Sequence, residues 1–456
     1  MKRTNFGIRQ GAIGLCLVLA SVFILAACGS SQPSTSSSAT KGNVTWWEGN
    51  ITPEIANSLF KQFNKQYPNI HMTLKYFATG PTYDAALTPG LASNVGPDVF
   101  DVTANGTTGI QTYGQDSVDL TSAMEKLRGS DWKKGMYAPG VTDYTLNGRL
   151  VGAQVGRVAA GYLWINQDIF NEYNLTPPTT LTEWASDCKV IRSHGLGCFT
   201  EGIGAPGFDT DTLHTLVNSV QPGAFQKAIT GKMSWNSPPI IKALSIFQQM
   251  AQDGILDPGA DGIQQYPDAT NNFLSGKDAM VQMGTWYQQY TTTAALKAGI
   301  QAAGVAVPQN LPTMVPILFP NVGGHVPSLF GDPDFGLAVN AKSKNAAAAT
   351  TFALWVSATE KGQQEVGNSL TETPVLLSVK TDWQSLPLVN PSVQRPKLEQ
   401  FAPLLNGITE PRQANMGAAI ETAMEVADES VVGGTATPQQ AAATLEAAQQ
   451  ANPVGG

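Results

Sequence analysis

The chain has 456 residues, of which 42% are apolar and 14% charged, and its formal charge is −8 with only 4 histidines. That is enough apolar material for a long two-lobed body or two domains. An acidic chain with no basic run excludes nucleic acid and anionic lipid as partners by charge attraction. Charged residues fall well below the roughly 25% of an average soluble chain, so Ser, Thr, Asn and Gln must supply the polar surface, as suits an extracellular protein.

Taken in chain order, Lys2, Arg3 and Arg9 precede an uncharged apolar stretch at 11–27, and small residues follow. This is the layout of a secretion signal, predicted at 1–27. Seventeen uncharged residues interrupted by Gly11 and Gly14 are at the short limit for crossing a bilayer. Leu25-Ala26-Ala27-Cys28-Gly29 resembles the bacterial lipobox, which implies cleavage before Cys28 and acylation of that cysteine. More than one acyl chain anchors stably, whereas a single myristoyl chain holds only marginally. The Ser/Thr-rich stretch that follows cannot bury enough apolar surface to fold, so 28–42 reads as lipidated cysteine plus flexible tether. Losing the signal removes three basic residues and no acids, which makes the charge three units more negative.

The folded part opens on "VTWWEGN", a β-prone run at 44–47 followed by a polar loop. Thr52-Pro53 then starts a helix whose Ile55, Leu59, Phe63 and Tyr67 recur every four residues. Pro68-Asn69 stops it, and Ile70, Met72, Leu74 and Tyr76 alternate with polar residues as in a half-buried strand. A helical stretch at 83–93 and the short apolar strand of "GPDVFDV" at 96–102 complete a strand, helix, strand, helix, strand series. Such a series predicts an α/β fold with a mostly parallel sheet, whose ligand crevice lies beyond the carboxyl ends of the strands. Trp47, Glu48 and Asn50 end the first strand, and Asp101 and Asn105 end the third, so both loops are expected on one rim. One of the two adjacent indoles serves equally well as core under the helix stripe, with Trp46 the better core residue and Trp47 the better ligand contact.

Four cysteines occur, and the first two fall in the signal and the lipobox. Cys188 and Cys198 remain, with nine residues between them in "CKVIRSHGLGC". In an oxidising compartment they read as a structural disulfide, which contributes about 3 kcal/mol by loop entropy. A zinc site at His194 would need two further ligands from elsewhere, and no metal or cofactor is expected. Farther on, Phe273-Leu274 ends a helix at Gly276, residues 279–283 form a strand, and Trp286 follows its carboxyl end. Asn345 is placed to cap a helix whose Phe352, Trp355 and Val356 face the core. Met416, Ile420, Met424 and Ala427 form another stripe, and Thr437-Pro438-Gln439-Gln440 begins the last helix with a capping box.

In this order the segments "VTWWEGN", "FKQFNKQYPNIHMTLKY", "GPDVFDV", "NGRLVGAQVGRVAAGYLWINQDIFNEYNL", "PPTTLTEWASDCKVI", "NNFLSGKDAMVQMGTW" and "FGLAVNAKSKNAAAATTFALWVSATEKGQQEVG" resemble the extracellular sugar-binding proteins of ATP-binding-cassette importers, the family that includes maltodextrin-binding proteins. The resemblance spans nearly the whole mature chain. It implies two α/β lobes of the periplasmic-binding-protein type II fold, joined by several hinge crossings, with the ligand in the cleft between them. Lobe one is expected at 43–156 and 331–377, and lobe two at 157–330 and 378–452, with a tail at 453–456. It further implies an oligosaccharide or related sugar as ligand, membrane permease subunits as partners, a monomer held outside the cytoplasmic membrane by its lipid, and no catalysis on this chain.

Sugars present hydroxyls in many directions and weakly apolar faces, so a site needs flat aromatics with acceptors and donors around them. Besides the first-rim residues, Arg157 lies just past the first crossing, where it either reaches the cleft or pairs with an acid. Glu201 and Asp209 lie in the glycine-rich "FTEGIGAPGFDTD", which suits a binding loop. Trp286 is the expected stacking platform, since the family often uses this position so. "GDPDFG" at 331–336 departs from the family pattern; Asp332 and Asp334 bind ligand or, with proline between them, shape a turn. Arg412 is a further contact candidate. Two alternatives stand beside this reading. One is a surface-anchored carbohydrate hydrolase using Glu48 with Asp101 as a carboxyl pair, and the other is a binder of a non-sugar solute.

Overall fold

The computed structural model describes residues 38–77, 80–93, 95–104, 109–204, 208–414 and 416–453. The signal, Cys28 and Asn105 therefore lie outside the described residues. In chain order the elements that position the site are β1 (Gly42–Glu48), α1 (Pro53–Asn64), β2 (Ile70–Tyr76), α2 (Gly80–Ala92), β3 (Val99–Thr103), β4 (Ala153–Gln154), β5 (Gly156–Ala160), β6 (Tyr162–Asn166) and α3 (Leu181–Ser193). They continue with β7 (Gly197–Thr200), α4 (Asp209–Val220), α5 (Pro238–Gln252), β8 (Asp278–Gln282), β9 (Met314–Leu318), β10 (Phe330–Pro333) and β11 (Phe335–Val339). Last come α6 (Ala346–Ala358), β12 (Thr373–Pro374), α7 (Ala418–Val432) and α8 (Pro438–Ala451).

These strands build three sheets, in the orders β2-β1-β3-β11-β4, β9-β6-β8-β7 and β10-β5-β12. The first is the centre of one lobe, the second of the other, and the third, small one is the hinge. In the first, β1 runs parallel to both β2 and β3, as the strand-helix alternation predicts. The sheet is nevertheless mixed, because β11 lies antiparallel to β3 and β4. The chain returns from the other lobe through the hinge and so enters this sheet from the opposite end. Core residues around the first sheet come from 44–155 and 335–376. Those around the second come from 159–329 and 370–445.

The helices follow their apolar stripes. Ala56, Leu59, Phe60 and Phe63 bury one face of α1. Phe63 meets Phe352 and Trp355 of α6 at ring separations of 5.2 and 5.4 Å, and Phe60 meets Phe352 at 5.7 Å. Phe352, Trp355 and Val356 are all buried core residues, as expected. Asn345 stands at the helix start, but its side chain makes no capping bond there; Ser343 accepts from the Asn345 amide at 2.9 Å instead. The capping box at Thr437 and Gln440 is present, and a disulfide joins Cys188 on α3 to Cys198 on β7. Order begins before residue 43. Ser38 bridges Lys41, and the Thr351 hydroxyl donates to the Ala39 carbonyl at 2.7 Å, so the last residues of the expected tether lie against α6.

"GDPDFG" is neither turn nor simple loop. Phe330–Pro333 pairs antiparallel with β5, and Phe335–Val339 pairs with β3, so Asp334 is the single residue between two strands as the chain crosses from one lobe to the other. The proline ends one ladder, and Asp334 keeps its own N–H bonded to the Gly156 carbonyl at 3.1 Å. With β5 and β12 this makes three crossings lying side by side.

Candidate functional site

The rim of the first lobe begins where β1 ends. Side chains alternate along a strand, so Trp46 and Glu48 face one way and Trp47 the other. Trp46 is fully buried against Phe60 and Phe352, and its indole N–H donates to Asp101 Oδ1 at 2.8 Å. Asp101 Oδ2 accepts from the Gly49 amide at 3.0 Å and from Asn50 Nδ2 at 2.8 Å. Glu48 Oε1 accepts from the amides of Asn50 and Ile51, each at 2.5 Å. The Tyr83 hydroxyl closes the group on the Asp101 carbonyl at 2.8 Å.

Glu48 and Asp101 are thus spent on the loop that carries them, contrary to the expectation that they accept ligand hydroxyls. Both are buried, and their carboxyls face each other. Burial first, and the Asp101 charge second, push Glu48 up to about 9. Burial raises Asp101 to about 6 against the pull of its Gly49, Trp46 and Asn50 donors. One proton held between two acids accounts for both shifts. The arrangement also withdraws the carboxyl pair on which the hydrolase alternative stood. Asn50 is exposed with its amide nitrogen tied to Asp101.

Trp47 also departs from its expected role. It is 7% exposed, Lys75 Nζ lies 3.7 Å over its ring, and Phe77 packs at 5.5 Å. On α2, a Cβ at Gly90 would come within 2.6 Å of the indole, so the helix approaches closely enough there to require glycine. Both tryptophans of the opening strand are packing residues.

At the hinge, Arg157 on β5 lies over the Tyr137 ring at 5.0 Å and donates to Asn406 Oδ1 at 2.9 Å and the Leu405 carbonyl at 3.4 Å. Its partners are an amide and a carbonyl rather than the acid that was one expectation. It lines a cavity of about 340 Å³ with Thr373, Trp383 and Leu405.

The second lobe divides its candidates in two. Glu201 and Asp209 are buried, at 1% and 0% exposure. Glu201 accepts from the Thr212 hydroxyl, and burial pushes its carboxyl well above the usual range. Neither acid stands on the rim. Trp286 does. It follows β8, is partly buried, and donates its indole N–H to the Tyr266 hydroxyl at 3.1 Å. Phe208 packs against Tyr266 at 5.4 Å and Trp286 at 6.1 Å. The Arg412 guanidinium lies 5.0 Å from the Trp286 ring and 5.6 Å from Phe208, and its Nε donates to both oxygens of Asp211 at 2.8 and 2.9 Å. Asp332 accepts from the Gln413 amide at 2.6 Å, which ties the hinge strand β10 to the Arg412 segment. The Asp334 carboxyl faces Glu372 across the crossings.

Trp286 and Arg412 are therefore brought together. The sequence reading missed Phe208, Tyr266 and Asp211 beside them. For Asp211 a signal existed: two residues apart on a helix means nearly opposite faces, so Asp209 and Asp211 could not share a role. Tyr266 lies in "QQYPDA", where no periodicity marks it. Among the described residues no group of three or more His, Cys, Asp and Glu is arranged to hold a metal ion, and no described helix is long and apolar enough to cross a membrane.

Residues 49–363 match a model of the bacterial extracellular solute-binding proteins. The chain belongs to this family. An uncharacterised ABC transporter extracellular-binding protein of Pyrococcus horikoshii is 23% identical over 322 residues, 67% of this chain and 71% of that protein. Among solved structures, one from a study of xylan utilisation by Caldanaerobius polysaccharolyticus has a TM-score of 0.68 at 20% identity, covering 89% of this chain and 99% of that one. A chitin oligosaccharide binding protein has a TM-score of 0.67 at 15% identity, covering 90% and 98%. At these identities the likeness is one of fold, the two-lobed fold of solute-binding proteins, which agrees with the expected architecture.

Proposed function

We propose that this solute-binding protein captures an oligosaccharide and delivers it to the permease subunits of an ATP-binding-cassette importer, with no chemistry on its own chain. The observation that carries the reading is the second-lobe platform of Phe208, Tyr266 and Trp286, held by the Arg412–Asp211 pair. Flat rings with a fixed guanidinium and carboxylate beside them suit a sugar, whose faces stack and whose hydroxyls need both donors and acceptors. The relatives named for xylan utilisation and chitin oligosaccharides support the same class of ligand, and the Pyrococcus relative's name supports the transporter.

In this reading Trp286 stacks on the ligand, Tyr266 and Phe208 extend the platform, Arg412, held by the buried Asp211, orients hydroxyls, and Asn50 meets the ligand from the first lobe. The lobes are taken as 43–156 with 331–377 and 157–330 with 378–452, closing about the three crossings. The chain works outside the cytoplasmic membrane, anchored by lipid on Cys28, as a monomer.

Calorimetry against a panel of neutral oligosaccharides tests the ligand class. The expected outcome is saturable binding to at least one, weakened roughly 10-fold or more in Trp286→Ala, since losing a stacked aromatic is worth about 1–3 kcal/mol. Binding of a peptide, polyamine or metal with no response to any saccharide would sink the sugar assignment, and unchanged affinity in Trp286→Ala would remove that residue from the site.

A further inference from the structure

Carboxyl groups meet in buried pairs at three separate joints of this molecule. In the first lobe, Glu48 and Asp101 tie the β1 loop to β3. In the second lobe, Asp278 at the start of β8 meets Asp257, and both press on Gly197 of β7: a Cβ there would lie 1.5 Å from one carboxyl and 2.8 Å from the other. At the hinge, Glu372 just before β12 meets Asp334 between β10 and β11, with Glu372 packed against Gly156 of β5. Each pair leaves buried oxygens without a donor: Glu48 Oε2, Asp257 Oδ2 and Asp278 Oδ2, and Glu372 Oε2. Opposed carboxylates offer acceptors only. A carboxylic acid facing a carboxylate supplies the missing donor.

We propose that these three pairs are proton-held joints, one in each lobe and one at the hinge, so that the folded frame takes up protons and loosens as the medium becomes alkaline.

The surroundings agree. Glu48 faces Asp101, with the hydroxyls of Tyr83 and Tyr76 nearby and Glu54 beyond Tyr76; Lys75 sits over Trp47 on the neighbouring strand. Glu372 faces Asp334 and Tyr144, and Asp143 and Asp332 add further negative charge around Tyr144; Arg412 also feels Asp334, though it is bonded to Asp211. Asp278 faces Asp257 and the Thr200 hydroxyl. Arg192 bonds Asp257 at 2.7 Å, so the proton belongs on Asp278.

All three acids have raised values in the fold: Glu48 from 4.5 to about 9, Asp278 from 3.8 to about 8, and Glu372 well above its ordinary range, each first by burial and then by its partner. A raised acid binds more protons folded than unfolded. Its contribution is complete below the unfolded value and is lost as pH climbs toward the folded one. His214, pushed down by burial between Phe225 and Phe330, works in the opposite sense around its ordinary 6.5. Glu201 and Asp428, a further buried acid region, add to the main trend.

The test is the thermal unfolding midpoint of the full-length chain in mild detergent, from about pH 5 to about pH 9. The midpoint is expected to fall steadily above about pH 7, past the range where His214 titrates. In a triple variant, Glu48→Gln, Asp278→Asn and Glu372→Gln, each amide donates whatever the pH, so the fall becomes clearly shallower, with a remainder from Glu201 and Asp428. A wild-type midpoint that is flat or rises between pH 7 and 9, or a triple variant with the wild-type slope, overturns the proposal. Should the triple variant not fold, the single variants and the wild-type profile decide it by the same criteria.

Discussion

Gly156 opens the first crossing strand, and its missing side chain has a specific use. A Cβ there would lie 2.2 Å from Glu372 Oε2 and 2.5 Å from Glu372 Cβ. Gly156→Ala must therefore push Glu372 away from Asp334 and spread β5 and β12, which lie side by side at the hinge. A loss of about 1–3 kcal/mol is expected, as for overpacking elsewhere, with weaker ligand affinity if the proposed closure runs through the same strands; denaturant unfolding and calorimetry on one preparation check both. The same scale explains the misreading of the first rim. Trp47, Glu48 and Asp101 have the chemistry of a sugar site, and their positions in the chain are right for one, whereas Trp46 is the core residue it was expected to be. Strand alternation sends Trp46 into the core, close approach by α2 covers Trp47, and the two acids find each other and the backbone of their own loop. Residue type and spacing cannot register such partners, because they come from 53 residues away, as Asp101 does for Glu48.

Elements were legible where one face repeats. The core face of α6, Ile420, Met424 and Ala427 of α7 and the capping box of α8 stand as read, whereas α1 keeps Leu59 and Phe63 of its expected stripe, buries Ala56 and Phe60 in place of Ile55, and ends at Asn64, before Tyr67. Phe352 is the shared partner of Trp46, Phe60 and Phe63. Phe352→Ala is expected to cost about 3–5 kcal/mol, the range for a buried aromatic truncation, and to leave the aromatic platform of the other lobe intact. Urea denaturation followed at both lobes checks this. Illegible elements were those whose role is set by a distant strand. "GDPDFG" carries turn residues, yet pairing with β5 on one side and β3 on the other stretches it into a crossing. Asn345 has the right type for a cap, but Ser343 already bonds the amide of that turn.

At the scale of the molecule, the described residues from Ser38 onward gather around three hydrophobic clusters, with three crossings between the two large sheets. The proposed lipid anchor at Cys28 belongs to this scale, because it would decide where the whole protein stands. Cys28→Ser is expected to shift the protein from the membrane fraction to the medium while oligosaccharide binding by the released chain stays unchanged; retention at the membrane would remove the anchor. The amino-acid sequence by itself determined the α/β class, the helix stripes and the pairing of Cys188 with Cys198. Each is written in local order, in periodicity, or in two cysteines left over in an oxidising compartment. Only the tertiary structure decided which polar groups are buried and which stand beside the aromatic cluster. Burial and hydrogen-bond partners are contributed by segments far apart in the chain, so Glu48, Asp101, Glu201 and Asp209 turn inward while Trp286, Tyr266, Phe208 and Arg412 come together from four separate segments.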